Sequence, residues 1–212
     1  MQKKEANMLY FWIIAVTFLL STGAAITVSC TTQAISLLYA FFVPFGVMVY
    51  CGVLMGAADI VIRLLPRKIW NFEKAPFFVS KKEAKKYEKL GIKKWKDKAV
   101  PDLGKTAGFS KKHLDGSNEE YLLAFIKETC MGETLHAVGA VLPLTALIFC
   151  PIRDWYFVVF ILIVNLFLNL LPCMIQRYNR YRLALVYTFK MRHQAERKSA
   201  IAQEDASDTS CL

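Results

Sequence analysis

Histidine is scarce in this 212-residue chain, with three in all, and none of the six cysteines (30, 51, 130, 150, 173, 211) belongs to a C-x-x-C pair or a His/Cys cluster of zinc-ligand spacing. That spacing excludes an ordinary structural zinc site, and the cysteines read as small apolar packing residues. No P-loop, G-x-S-x-G, H-x-x-x-x-D or glycine-rich dinucleotide fingerprint occurs. The usual forms of nucleotide hydrolysis, serine hydrolysis and dinucleotide binding are therefore set aside. Repeats and low-complexity segments are also missing. What the chain has in excess is apolar residues, at 55% with 13% aromatics, above the roughly 45–50% apolar of an ordinary soluble domain.

The apolar residues gather in four runs. A bilayer core of roughly 30 Å needs about 20 such residues per helix, and spans are read at about 8–29, 37–63, 130–150 and 155–175. The third continues a helical-looking stretch that starts near Asn118. Lys3 and Lys4 before the first run make a cleaved signal the rival reading there, but the apolar core exceeds the usual length, so an uncleaved anchor is favoured. The fold class expected is all-α and integral to a membrane, with four transmembrane helices in one domain over 1–195.

Charge sets the orientation. The formal charge is +10, and of the 27 Lys and Arg only Arg153 lies in a turn between spans one and two or three and four. The positive-inside rule then places both termini and the long middle segment in the cytoplasm. A basic surface held against an anionic inner leaflet already has a partner, which weakens a nucleic-acid reading. In the middle segment, 66–118, Trp70, Phe72, Phe77 and Phe78 among basic residues suggest rings at headgroup depth. Lys81 to Leu90 has the pattern of a short amphipathic helix ended by Gly91, with a solvated linker as the alternative, and 92–102 reads as a loop returning to the membrane. The polar tail at 196–212 reads as disordered.

Two polar constellations interrupt the apolar pattern. At the mouth of span three, Thr129, Glu133 and His136 share an arc of about 60° on a helix, with Glu128, Gly132 and Gly139 beside it. Glu133 and His136 at i,i+3 can form a carboxylate–imidazole pair suited to taking a proton from a hydroxyl. A water-interface role that only solubilises the helix end is the other reading. Along span four and its exit, Asn165, Asn169, Gln176 and Arg180 fall within about 60° of one another, a stripe that lipid cannot satisfy. It continues into the cluster Gln176-Arg177-Tyr178-Asn179-Arg180-Tyr181-Arg182, either a grip for phosphate or carboxylate or a positive-inside stop signal. Asp59 and Arg63 at i,i+4 are read as pairing with each other. Glu133-x-x-His136 is half of a carboxylate di-metal motif, and the second half is absent, so no metal is expected.

The strings Lys94-Trp95-Lys96-x-Lys98, Glu128-Thr129-x-x-x-Glu133-x-x-His136 and Gln176-Arg177-Tyr178-Asn179-Arg180-x-Arg182-Leu183 together resemble, in order and spacing, the glycosyl-4,4'-diaponeurosporenoate acyltransferase family of Gram-positive bacteria. The resemblance covers roughly 60–195. It implies an enzyme of the bacterial cell membrane that esterifies a sugar hydroxyl on a membrane glycolipid or glycosylated carotenoid, a glycosylated isoprenoid acceptor, with a fatty acyl chain. Acyl-CoA or an acyl carrier protein would be the donor, with no further cofactor. Joined to the residue reading, it gives His136 as general base oriented by Glu133, with Thr129 and Glu128 positioning the sugar. Arg177, Arg180 and Arg182, with Asn179, would hold the donor, Asn165, Asn169 and Gln176 would serve the oxyanion, and Trp95 and Lys96 would close over the site. Two other classes stay open: a small membrane methyltransferase, and a non-enzymatic scaffold in which the polar stripe is a seam between helices.

Overall fold

The structure is a computed structural model that describes residues 2–33, 35–99 and 119–209. Everything described is helix or connection, without a strand among the described residues. Helix α1 runs Gln2–Thr32 and α2 Leu37–Leu64, followed by a connecting segment and two short helices, α3 (Lys81–Lys89) and α4 (Ile92–Ala99). After them come α5 (Glu119–Val141), the one-turn α6 (Ala146–Phe149) and the long α7 (Trp155–Thr209). Four stretches are long and apolar enough to cross a membrane: Leu9–Thr32, Leu37–Leu64, Glu119–Phe149 and Ile152–Ile201. Their outward rings and aliphatic chains, Phe42 and Leu38 among them, stay exposed, as lipid-facing residues must.

Local chemistry sets the boundaries. Ser36 caps α2 by accepting from the Tyr39 amide, and the helix stops at Leu65 because Pro66 drives the residue before it to extended backbone. Ser80 caps α3 by accepting from the Glu83 amide at 3.2 Å, the first half of a capping box. Gly91, at φ +70°, makes the turn into α4. Residues 92–99, read from sequence as part of a returning loop, are thus helical. Ile92 and Trp95 give α4 an apolar edge that packs on Ile175 and Tyr178. The third spanning stretch tightens to a 3₁₀ turn at Leu142–Thr145, where Pro143 removes a helix donor.

α7 also differs from expectation, running through the polar tail to Thr209. Residues 194–206 are dominated by Ala, Gln, Glu, Lys and Arg, all strong helix formers, with no glycine or proline to stop the helix.

The core has an apolar end and a basic end. At the apolar end Ala25, Val47, Phe157, Val158 and Ile161 pack together, and the buried Asp154 accepts a hydrogen bond from the Tyr39 hydroxyl. At the basic end Trp70 and Phe77 tuck beneath the bundle against Ala58, Ile62 and Cys130. Two of the rings expected at headgroup depth are therefore core residues, at 2% and 8% exposure, whereas Phe78 is exposed. The most extensive helix pairing is antiparallel, α5 against α7, and it places both constellations of the sequence face to face.

Candidate active site

Two glycines of α5 let α7 and α2 come close. A Cβ at Gly132 would stand 3.0 Å from the amide nitrogen of Gln176, and one at Gly139 would stand 1.9 Å from Met55 Sδ and 2.9 Å from Asn169 Oδ1. Small residues at such points are what apolar helices use to bring backbone within reach of a neighbour's polar groups.

The Gly139 carbonyl is one of those groups, and because it can only accept, it fixes a chain of hydrogen bonds. Asn165 turns its Nδ2 to that carbonyl at 2.9 Å, so its Oδ1 faces Asn169. Asn169 must then offer Nδ2, which reaches Asn165 Oδ1 at 3.2 Å, the Asn165 carbonyl at 2.9 Å and the Gly139 carbonyl at 3.4 Å. Its remaining oxygen lies 3.2 Å from Nδ1 of His136. An amide oxygen cannot donate, so the imidazole proton sits on Nδ1 and the lone pair on Nε2.

Glu133 does not orient His136, contrary to the sequence reading. Its carboxylate is claimed by α7: Arg177 Nη1 donates to Oε1 at 2.5 Å, and Arg180 Nη2 donates to Oε2. Two guanidiniums attract a carboxylate far more than a neutral imidazole on its own helix can. Arg177 also donates to both oxygens of Glu83, at 2.6 and 3.1 Å, and to the carbonyls of Pro76 and Phe78 at 3.0 and 3.2 Å. All five of its N–H donors are thereby engaged. Arg180, 1% exposed, donates to the carbonyls of Phe77 at 2.8 Å and Thr129 at 3.2 Å. Together they form a lock that ties residues 76–83 to α5 and α7. Burial works to raise the Glu83 carboxyl, but Arg177, aided by the Tyr87 hydroxyl, outweighs it and holds the group below its ordinary value. The Tyr87 hydroxyl is pushed up to about 12, by burial and by its bond to Glu83.

The remaining predicted residues spread around this lock. Thr129 is buried and donates to the Ile126 carbonyl at 2.6 Å. Glu128 accepts from Arg63 at 3.4 Å, while Arg63 also meets Asp59 at 3.0 Å, so the expected Asp59–Arg63 pair is present and extended. Trp95 donates to the Leu90 carbonyl within the α3–α4 unit, and Lys96 donates to Asn179 at 3.3 Å from above the Tyr178 ring. These two tie α4 to α7. Arg182 is exposed on the side of Glu88 and Lys93, outside the lock. The Asn165 and Asn169 amide hydrogens point into the seam, so those residues do not present an oxyanion donor, and Gln176 beside Gly132 is the amide of the stripe outside that relay.

A family model described as glycosyl-4,4'-diaponeurosporenoate acyltransferase matches residues 63–188, which hold every residue of the relay and of the lock. The chain belongs to that family. No curated protein and no solved structure matches it.

The acyltransferase-family segment thus starts at Arg63 and takes in the connecting segment, α3 to α6 and most of α7. Glu83 is the site residue that sequence reasoning missed. Its signal was the pattern Ser80-x-x-Glu83, which predicts a helix start but says nothing of a carboxylate turned toward α7. Among the described residues no group of three or more His, Cys, Asp and Glu is arranged to hold a metal.

Proposed function

We propose that the chain is an O-acyltransferase of the cell membrane that moves a fatty acyl group from an activated thioester to a hydroxyl of a glycosylated, membrane-embedded acceptor, with His136 as general base. The observation that carries this reading is the relay from the Gly139 carbonyl through Asn165 and Asn169 to His136. It leaves one ring nitrogen, Nε2, with a fixed lone pair, the arrangement that proton abstraction from an alcohol needs. Nε2 takes the proton of the acceptor hydroxyl as that oxygen bonds to the thioester carbonyl carbon. The tetrahedral intermediate expels the thiolate, which receives the proton from Nε2–H, so the base is regenerated and no acyl-enzyme forms. Gln176, one turn nearer the basic end, can donate to the oxyanion from its side-chain amide.

Family membership supports the acceptor class, a glycosylated diaponeurosporenoate. The one-sided distribution of cations supports a cytoplasmic basic end facing anionic lipid and a soluble donor, acyl-CoA or acyl carrier protein, with both termini on that side. Membranes with and without the protein, supplied with glycosyl-4,4'-diaponeurosporenoate and a fatty acyl thioester, should differ by a product heavier by one acyl group. His136→Ala should abolish that product with the protein still inserted, and undiminished product would overturn the assignment. One observation favours a second reading: the two asparagines are spent on the seam, as in a scaffold whose polar stripe only joins helices. On that reading His136→Ala leaves acyl transfer unchanged and lowers recovery of folded protein instead.

A further inference from the structure

With Arg177 saturated and Arg180 buried in the lock, two of the three arginines first expected to grip an acyl donor are occupied, and Arg182 stands exposed outside it on the side of Glu88, so the donor needs another seat. A cleft of about 850 Å³ lies between α7 and the segment that the lock holds. Its walls are Phe78 and Val79 on one side and Leu185, Val186 and Phe189 on the other. Leu185, Val186, Phe189 and Phe78 are 54%, 49%, 66% and 56% exposed, an apolar strip whose α7 residues lie beyond the 155–175 run read from sequence as the fourth span. Two exposed cations, Lys81 at the start of α3 and Arg192 on α7, belong to its lining, and Glu73 is the acidic residue of that lining among the described residues. Arg180 belongs both to this lining and to the lock.

We infer that this cleft is the donor site, taking a long-chain acyl thioester whose carrier bears phosphates. The inference rests on the acyl-transfer reading and names its donor seat. The volume lies in the range of pockets that enclose small amphipathic ligands. Apolar walls accept the ligand's arm, and the two exposed cations complement its phosphates where they meet water. Along α7 the lining runs from Arg180 to Arg192. From Arg192 to Arg180 the helix rises about 18 Å toward Gln176 and His136, so a carrier held at Arg192 directs its thioester inward, to the end of the cleft next to the lock.

The test is photolabelling of the full chain in nanodiscs with a palmitoyl-CoA analogue carrying a diazirine, followed by peptide mapping. Label should map to 181–192, be displaced by palmitoyl-CoA and fall about tenfold in affinity with Lys81→Glu or Arg192→Glu, the effect of one lost charge-assisted contact. Val186→Trp, at a half-exposed position, fills the cleft and should block labelling without disturbing the lock. Displacement by phosphatidylglycerol as effective as by palmitoyl-CoA would overturn the inference in favour of a lipid seat. Label confined to the lipid-facing part of α7, or indifferent to all three variants, would overturn it too. Cleft labelling without any ester product would sink the acyl-transfer reading and with it the cleft's role as donor seat, leaving a thioester-binding cleft. Product formation that needs His136 but ignores all three cleft variants would sink the donor seat alone.

Discussion

Arg177 on α7 and Glu83 on α3 form a two-pronged ion pair, Nε to Oε1 at 2.6 Å and Nη2 to Oε2 at 3.1 Å. The pair is mostly buried, with the side chains 19% and 28% exposed. It fastens the short, highly charged α3 onto the basic stretch 176–182 of α7. Arg177→Ala strips both Glu83 and Glu133 of a partner, and removing one side of a largely buried pair costs on the order of 3 kcal/mol. The expected outcome is a lower thermal midpoint in detergent and faster proteolysis within 74–99. Arg177→Lys should restore little, because an ammonium cannot reach two carboxylates and two carbonyls from one fork.

The same pair gives the protein an acid limit. Glu83 is held below its ordinary value of 4.5 in the folded chain, so its contribution is complete above that value and is lost as pH falls through the lower, folded one. Docking of residues 74–89, followed by the fluorescence of the buried Trp70, should therefore stay constant down to about pH 4.5 and fail below it. Glu83→Gln should flatten that acid transition while weakening docking at neutral pH. An unchanged acid transition in the variant would assign it to other carboxylates.

Close approach at Gly139 is a packing requirement that can be relieved in steps. Gly139→Ala sets a methyl 1.9 Å from Met55 Sδ and 2.9 Å from Asn169 Oδ1, and overpacking of this kind costs about 1–3 kcal/mol. Met55→Ala removes the worse of the two clashes. The double variant should thus recover much of the lost stability in a double-mutant cycle, yet stay low in acyl transfer, because the contact with Asn169 persists. Equal recovery of stability and activity would show that the relay tolerates the displacement.

How far the sequence reveals this molecule depends on which forces act locally. The four spanning stretches are legible because bilayer thickness demands apolar length, and α3 because its dense charges with an apolar edge have the pattern of a short amphipathic helix, though a solvated linker stays open on that pattern alone. The polar stripe of α7 is legible as a stripe, since Asn165 and Asn169 repeat at helical spacing, but its partner is not. The Gly139 carbonyl that satisfies it is a backbone atom with no sequence signature. Glu133 and His136 share an arc, so a wheel pairs them. Only the antiparallel register of α5 and α7 shows that two guanidiniums reach the carboxylate first. Trp70 and Phe77 carry interfacial composition, yet the lock pulls their segment under the bundle and makes them core.

Asn169 decides whether the relay serves chemistry or only cohesion. Asn169→Leu keeps the branching at Cγ, with a larger volume, and removes the acceptor that holds the proton on His136 Nδ1. If His136 is the base, acyl transfer should fall about 100-fold, the lower end of what positioned general bases contribute, because the imidazole can then rotate and exchange tautomers. Asn165 also loses a donor to its Oδ1, so some loss of stability accompanies the change and has to be separated from the loss of rate. The separation comes from comparing turnover per folded molecule, counted by size-exclusion recovery in detergent. A base that has lost its orientation gives full recovery with slow turnover, and a broken seam gives poor recovery with normal turnover in the survivors. The first outcome assigns Asn169 to positioning the base; the second reduces the relay to helix packing and leaves the role of His136 to the His136→Ala test.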